Sequence, residues 1–236
     1  MISKKQLLLF FILMLSLKNY AQNPAKVLAK EPFIIGETLK IHSDILKEDR
    51  LLNIYLPEGF SRDSVKPYPV IYLLDGSKDE DFIHISGLVQ FGSFSWIKLM
   101  PKSIVVGIAN IDRQRDFTFP THNKKDKSAY PSTGGSAKFI DFLKFELQPL
   151  IEKTYKTSET KTLIGQSLGG LLAVEILFKE PNLFDNYLIV SPSLWWDDES
   201  LLTYTLSKSS AEKTVYIAVG NEEEVMQTDA GSYLRS

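Results

Sequence analysis

The 236-residue chain contains no cysteine. That excludes a disulfide framework, a thiolate zinc site and an acylated cysteine near residue 20. An excess of one charge is also lacking: 27 lysines and arginines stand against 29 aspartates and glutamates. With no basic stripe, nucleic acid is a poor candidate partner. Histidine is scarce, with only His42, His84 and His122 in the whole sequence. Long apolar runs are confined to the start. Lys4 and Lys5 precede an apolar stretch from Leu7 to Leu17, interrupted only by Ser16, and Asn19-Tyr20-Ala21 closes it with a small residue. This pattern predicts a secretory signal peptide over residues 1–21, cleaved after Ala21, and a secreted or periplasmic protein. The alternative is an uncleaved anchor, although the stretch falls short of the ~20 apolar residues a spanning helix needs. No later segment is apolar enough to cross a bilayer. Loss of residues 1–21 leaves 24 basic and 29 acidic residues, a net charge of −5.

What remains, residues 22–236, has the length of one α/β domain and no internal repeat. Phe33 to Ser43 alternates apolar and polar residues and predicts an antiparallel edge strand, with Arg50 to Leu56 as its partner. Pro69 to Leu74 and Ser103 to Ile108 are continuous apolar runs, as expected for central strands buried on both faces. A helical stretch from about Asp81 to Leu99 lies between them. Asn110 to Gly134 reads as a long polar loop. Phe139, Leu143, Leu147 and Ile151 recur every four residues and predict a helix over Ser136 to Thr154, kinked by Pro149. Strands at Thr162–Ile164, Tyr187–Val190 and Thr214–Val219 then alternate with helices at Leu168–Lys179 and Glu199–Leu206. The order predicts an α/β fold with a mostly parallel central sheet, antiparallel N-terminal strands and helices on both faces.

Between two of those elements stands Gly165-Gln166-Ser167-Leu168-Gly169-Gly170. A G-x-S-x-G turn joining a buried strand to a buried helix holds its serine in a strained conformation, with the hydroxyl projecting from the sheet edge. Gly165 and Gly169 provide the space. The helix beginning at Leu168 aims free N–H groups and its positive dipole end at the place where an oxyanion would form. Ser167 is therefore the candidate nucleophile and the Leu168 amide one oxyanion donor. The second donor is expected from Asp75-Gly76-Ser77, at the end of the first buried strand, with Gly76 the choice; a tight turn without chemistry is the alternative.

A serine hydroxyl needs a base and an orienting acid. The acid is expected at the end of a later strand, where Glu222, Glu223 and Glu224 follow Val219-Gly220-Asn221; Glu222 is the first choice. No histidine lies downstream of Ser167, where such a fold places its base. His42 falls on the edge strand; His84 and His122 fall on segments that could line a pocket. Trp195 and Trp196 follow a strand end, as an aromatic wall for substrate or as packing beneath a loop. Arg113 heads the long loop, either to bind an acidic or phenolic substrate group or as part of a surface ion-pair network. No metal site is indicated.

Four segments together carry a resemblance: Val70-Ile71-Tyr72-Leu73-Leu74-Asp75-Gly76, Phe139-Ile140-Asp141-Phe142-Leu143 with Glu146-Leu147, Leu163 to Gly170, and Ser191-Pro192-Ser193-Leu194-Trp195-Trp196. From about Phe33 onward the chain resembles the α/β-hydrolase esterases that include esterase D, the enterochelin esterases and feruloyl esterases. The resemblance implies hydrolysis of a small carboxylic ester through an acyl-enzyme, with no cofactor, Ser167 as nucleophile and Glu222 as acid. Siderophore and feruloyl esters are among the substrates it implies. It also implies a last strand, a helix and a histidine-bearing loop beyond the Gly-x-Glu segment. This sequence departs there, and the expectation is a C-terminally truncated reading frame with Gly231 to Ser236 out of frame. An inactive binding protein on the same fold and an acyltransferase are the alternatives.

Overall fold

The computed structural model describes residues 3–6, 25–63, 65–206, 208–209 and 211–220, and the backbone of 225–227 and 233–235. Met1–Ile34 and Ile35–Ser236 are separate units. In the first, residues 4–6 form a helical turn and 25–34 run without regular structure. Residues 7–24, which hold most of the expected signal peptide, lie outside the described residues. No described helix is long and apolar enough to cross a membrane.

The second unit is built on β1 (Gly36–Ser43), β2 (Glu48–Tyr55), β3 (Tyr68–Leu73), β4 (Ile104–Ile108), β5 (Thr157–Gln166), β6 (Asn186–Val190) and β7 (Thr214–Ala218). Their order in the sheet is β1-β2-β4-β3-β5-β6-β7. β1 pairs antiparallel with β2 and β2 antiparallel with β4, whereas β4, β3, β5, β6 and β7 run parallel. The apolar runs explain the order: all of β4 is buried, as are Val70 to Leu73 of β3, so both strands must sit inside the sheet with cover on each side. The antiparallel pair β8 (Val225–Gln227) and β9 (Tyr233–Arg235) forms a second, separate sheet. Glu222 to Glu224, among which the acid was expected, lie outside the described residues.

Helix α1 (Phe82–Gly92) covers one face, with Phe82 and Val89 packed on Ile71, Leu73 and Val105. On the other face Tyr72, Val106 and Leu163 pack with residues of α4 (Ser136–Phe142), α5 (Gln148–Thr154) and α6 (Leu168–Lys179). The expected kink near Pro149 takes the form of a π-helical turn, Leu143–Leu147, joining α4 to α5. Proline cannot donate to the carbonyl four residues back, and its ring crowds that carbonyl; widening the preceding turn relieves both.

The polar segment 110–134 differs most from its sequence reading. It folds into α2 (Arg113–Phe117) and α3 (Lys124–Ala129) and buries Phe117 and Phe119. Buried ion pairing holds it in place. Arg50 on β2 is 1% exposed, pairs with Asp116 and Glu48, and lies 5.2 Å over the Phe139 ring. Arg115 grips Glu48 with both Nη atoms at 2.7 and 3.0 Å and donates from Nε to Asp116 at 2.7 Å. Helix caps follow the same logic: the Asp112 carboxylate accepts from the Arg115 amide, and Asn123 Oδ1 accepts from Lys125 and Asp126. A charge-rich sequence here is therefore an internal lattice.

Replacing Asp116 by alanine leaves the buried Arg50 with Glu48 alone. Urea denaturation of Asp116→Ala is expected to show a loss of about 3 kcal/mol, the low end of the range for breaking a buried ion pair from one side, because Glu48 still holds Arg50.

Candidate active site

β5 ends at Gln166 and α6 begins at Leu168, so one residue makes the whole turn. That residue, Ser167, has φ 54° and ψ −118°, a conformation that costs a residue bearing a Cβ about 1–3 kcal/mol. Neighbouring hydrogen bonds impose it. The Ser167 N–H donates to the Val190 carbonyl of β6 at 3.0 Å, and its carbonyl accepts from Leu171 at 2.9 Å and Ser193 at 3.0 Å. A Cβ on Gly165 would stand 2.4 Å from the Gly169 carbonyl oxygen, so only glycine lets α6 start this close to β5. At Gly169, also read as providing space, a Cβ would meet side chains and not backbone, with the Asp75 carboxylate nearest at 3.3 Å.

The Ser167 side chain is partly exposed, and its hydroxyl lies 3.2 Å from that of Ser193, a largely buried residue of the loop after β6. Among the described residues no backbone carbonyl accepts from the Leu168 N–H, the first amide of α6. A nucleophile with a free helix-terminal amide one residue on is the arrangement that stabilises a tetrahedral oxyanion.

The other expected donor does not hold up. The Gly76 N–H donates to the Ile108 carbonyl at 3.0 Å, and the Gly76 carbonyl accepts from Asn53 Nδ2 at 2.9 Å. A Cβ at Gly76 would lie 2.3 Å from Gly107 Cα. Gly76 is thus a glycine because β3 and β4 approach closely there, and its amide is spent inside the sheet.

Asp75, which the sequence reading took only as part of the turn before Gly76, is central. It is buried, holds φ 54°, and takes Arg113 in a two-point bond, Nε to Oδ1 at 2.6 Å and Nη2 to Oδ2 at 2.9 Å. Arg113 Nη2 also donates to the carbonyl of Gln166, the residue before the nucleophile, at 3.2 Å. Burial, the largest single influence, would lower the Arg113 pKa, but the Asp75 bond and charge together with the neighbouring Glu80 and Tyr130 outweigh it and the net direction is upward. The guanidinium therefore braces the turn, in place of the substrate-facing or surface role expected of it.

The two tryptophans separate. Trp196 is fully buried, and its Nε1 donates to the Phe119 carbonyl at 3.0 Å, so it belongs to the core and not to a substrate wall. Trp195 is 48% exposed, with its ring 5.9 Å from that of Tyr130, and it alone of the pair can meet a ligand. Beyond them Asp197, Asp198 and Glu199 all have positive φ. The Asp197 carboxylate holds this bend by accepting from Thr121, Ser200 and the amides of His122 and Asn123. Burial raises its pKa, but these donors together carry it below the usual carboxylate value.

None of the histidines is hydrogen-bonded to Ser167 among the described residues. His42 pairs with Asp49 on the exposed face of β1, and His84 and His122 are exposed. Glu222 lies outside the described residues. No group of acids and histidines suited to a metal ion occurs among the described residues.

Two measurements probe this geometry. Ser167→Gly removes the Cβ from a strained conformation and is expected to stabilise the fold by about 1 kcal/mol in urea titration, whereas Ser167→Ala is not. Asp197 has a lower pKa folded than unfolded, so its contribution is present above the unfolded value of about 3.9 and is lost as the pH falls through the folded one. The stability gap between wild type and Asp197→Asn should therefore be full at pH 7 and close below about pH 4.

Comparison with known proteins agrees with this geometry. Residues 43–235 match the family model described as "Putative esterase". Over 196 residues the chain is 29% identical to the ferri-bacillibactin esterase BesA of Bacillus subtilis, covering 75% of this chain and 68% of that protein. The crystal structure of an IroE-like serine hydrolase from Shewanella oneidensis shares 39% identity at a TM-score of 0.65. That match covers 71% of this chain and 54% of the Shewanella chain. The BES protein of Bacillus cereus superposes at a TM-score of 0.70 with 32% identity, over 84% of this chain and 79% of its own. With that match over most of its length, a strained serine between β5 and α6 and a mixed sheet flanked by helices, the chain belongs to this esterase family of the α/β-hydrolase superfamily.

Proposed function

We propose that this protein hydrolyses small carboxylic esters through an acyl-enzyme on Ser167. The observation that carries the reading is the conformation of Ser167, φ 54° and ψ −118°, beside the unbonded Leu168 amide. A binding protein has no use for a strained serine at a helix N-terminus, and strain of this kind persists where chemistry needs it. In the first step the Ser167 Oγ attacks the ester carbonyl carbon, the carbonyl oxygen takes up negative charge facing the Leu168 N–H, and the alcohol leaves. Water then attacks the acyl-serine and releases the acid, restoring the hydroxyl. The substrate class we favour is a siderophore ester. Three curated relatives support it by name: BesA, the siderophore enterobactin esterase of Emericella nidulans and the iron(III) salmochelin esterase of Escherichia coli. Trp195 offers an exposed ring for an aryl acyl group. Glu222 remains our choice for the acid. The signal-like residues 1–21 support export, which a fusion of this segment to a periplasm-dependent reporter would test.

A second reading is favoured by one observation: among the described residues no histidine is hydrogen-bonded to Ser167. On that reading the fold binds an ester without cleaving it.

An alkyl fluorophosphonate is expected to label wild type at Ser167 and to leave Ser167→Ala unlabelled, as read by peptide mass spectrometry. Turnover of a panel of nitrophenyl esters, feruloyl esters and a siderophore trilactone should be slow, because triad members act as a unit. Added imidazole should raise it severalfold above the Ser167→Ala background by supplying a base in solution. Absence of both labelling and rescue would favour the binding protein.

A further inference from the structure

The end of β3 lies level with the end of β5. Leu73 pairs with Ile164, the Leu74 N–H donates to the Ile164 carbonyl, and Arg113 joins the Asp75 carboxylate to the Gln166 carbonyl. Past Leu74 the chain leaves that ladder: the Gly76 carbonyl faces Asn53 on β2, so in the same trans peptide the Ser77 N–H points the opposite way, toward the side of β3 on which β5 lies. The Gly76 amide is spent on Ile108, so the next N–H from this loop to face the turn is that of Ser77. It is not empty. Glu80 Oε2 accepts from the Ser77 N–H at 3.1 Å. Asn110 Nδ2 holds the same carboxylate at 3.1 and 3.4 Å while donating to Asp75 Oδ1 at 2.7 Å. Glu80 is exposed, and among the described residues its side chain is hydrogen-bonded to these two neutral donors; the nearby Arg113 guanidinium is bonded to Asp75 and meets Glu80 only as a neighbouring charge.

We propose that Glu80 gates the ester site: its carboxylate occupies the Ser77 N–H, the second donor an ester oxyanion would use, and must swing away for Ser167 to react. A carboxylate oxygen presents to this N–H the negative charge that an ester oxyanion would present, so the two acceptors compete for one donor. The exposed side chain has solvent to turn into, whereas the Gly76 amide is locked in the sheet. The contact also has the form of half a capping box, with a glutamate reaching back to the amide three residues earlier. A cap alone predicts the opposite response to mutation, because removing it loosens the turn and disorders the donor.

This inference rests on Ser167 being an ester-reactive nucleophile, and the test separates the two. Wild type, Glu80→Gln, Glu80→Ala and Ser167→Ala are each treated with an uncharged alkyl fluorophosphonate, and the second-order labelling rate is measured beside the melting temperature. Glu80→Gln keeps the shape and removes the charge, and should label faster by on the order of fivefold with little change in melting temperature. Glu80→Ala should label at least as fast. The Ser77 amide resonance of wild type should shift on phosphonylation as its acceptor changes from carboxylate to phosphonyl oxygen. Unchanged or slower labelling of both Glu80 variants, with Ser167-dependent labelling of wild type, overturns the gate and leaves the esterase reading standing. Labelling that persists at wild-type rate in Ser167→Ala overturns both.

Discussion

One backbone conformation organises the functional end of this molecule. Ser167 is held at positive φ because its N–H reaches Val190 on β6 while its carbonyl serves Leu171 on α6 and Ser193 beyond β6. Three separate elements thereby meet on a single residue. The strain of about 1–3 kcal/mol is offset by the bonds and by burial of α6, whose Leu171, Leu172 and Ala173 are fully enclosed. Relaxing the serine would mean breaking bonds to two elements at once. Placing it there instead exposes a hydroxyl and leaves an adjacent amide free, which is the combination nucleophilic attack on a carbonyl requires.

Beneath the turn lies a second layer of polar contacts that do not react. Asp75 is itself in the left-handed region and is fixed by Arg113 and Asn110. Arg113 in turn anchors the Gln166 carbonyl and lies 5.5 Å over the Phe117 ring. A bidentate, charge-assisted bond in a partly buried setting is stiff, and stiffness here is transmitted to the residue preceding the nucleophile. The Arg50, Asp116, Glu48 and Arg115 lattice positions α2, from which Arg113 projects. Thus the charged residues of segment 110–134 act in series, from the β2 strand to the catalytic turn. Asp197 does the corresponding work on the other loop, tying residues 121–123 to the bend after Trp196.

β7 stands apart from this well-packed region. Val215, Tyr216 and Ile217 are 40%, 61% and 55% exposed, while central parallel strands of the same sheet are fully covered. Parallel strands ordinarily bury both faces. The Ser191 N–H nevertheless donates to the Ala218 carbonyl at 2.7 Å, and the Gly220 N–H to Ser191 Oγ at 3.0 Å. The end of β7 is therefore fastened to the loop that carries Ser193, close to the nucleophile, even where its faces are open.

Local features of the chain were readable because they depend on neighbours in sequence. The continuous apolar runs marked β3 and β4, the four-residue spacing marked the α4–α5 helix, and glycines flanking a serine between a strand and a helix marked the turn at Ser167. Each follows from a short-range rule of sterics or periodicity. What composition and spacing did not reveal was which polar groups would be consumed. Gly76 reads as an available amide until β4 arrives beside it with the Ile108 carbonyl. Arg113 reads equally as a substrate-binding cation or as a member of a surface ion-pair network until Asp75, 38 residues earlier, closes on it, and Trp195 and Trp196 read alike until Phe119 claims one indole. Hydrogen-bond partners distant in sequence are set by strand order and loop packing, so the position of the candidate nucleophile was local information, whereas the bonding of the groups around it was decided only when the sheet assembled.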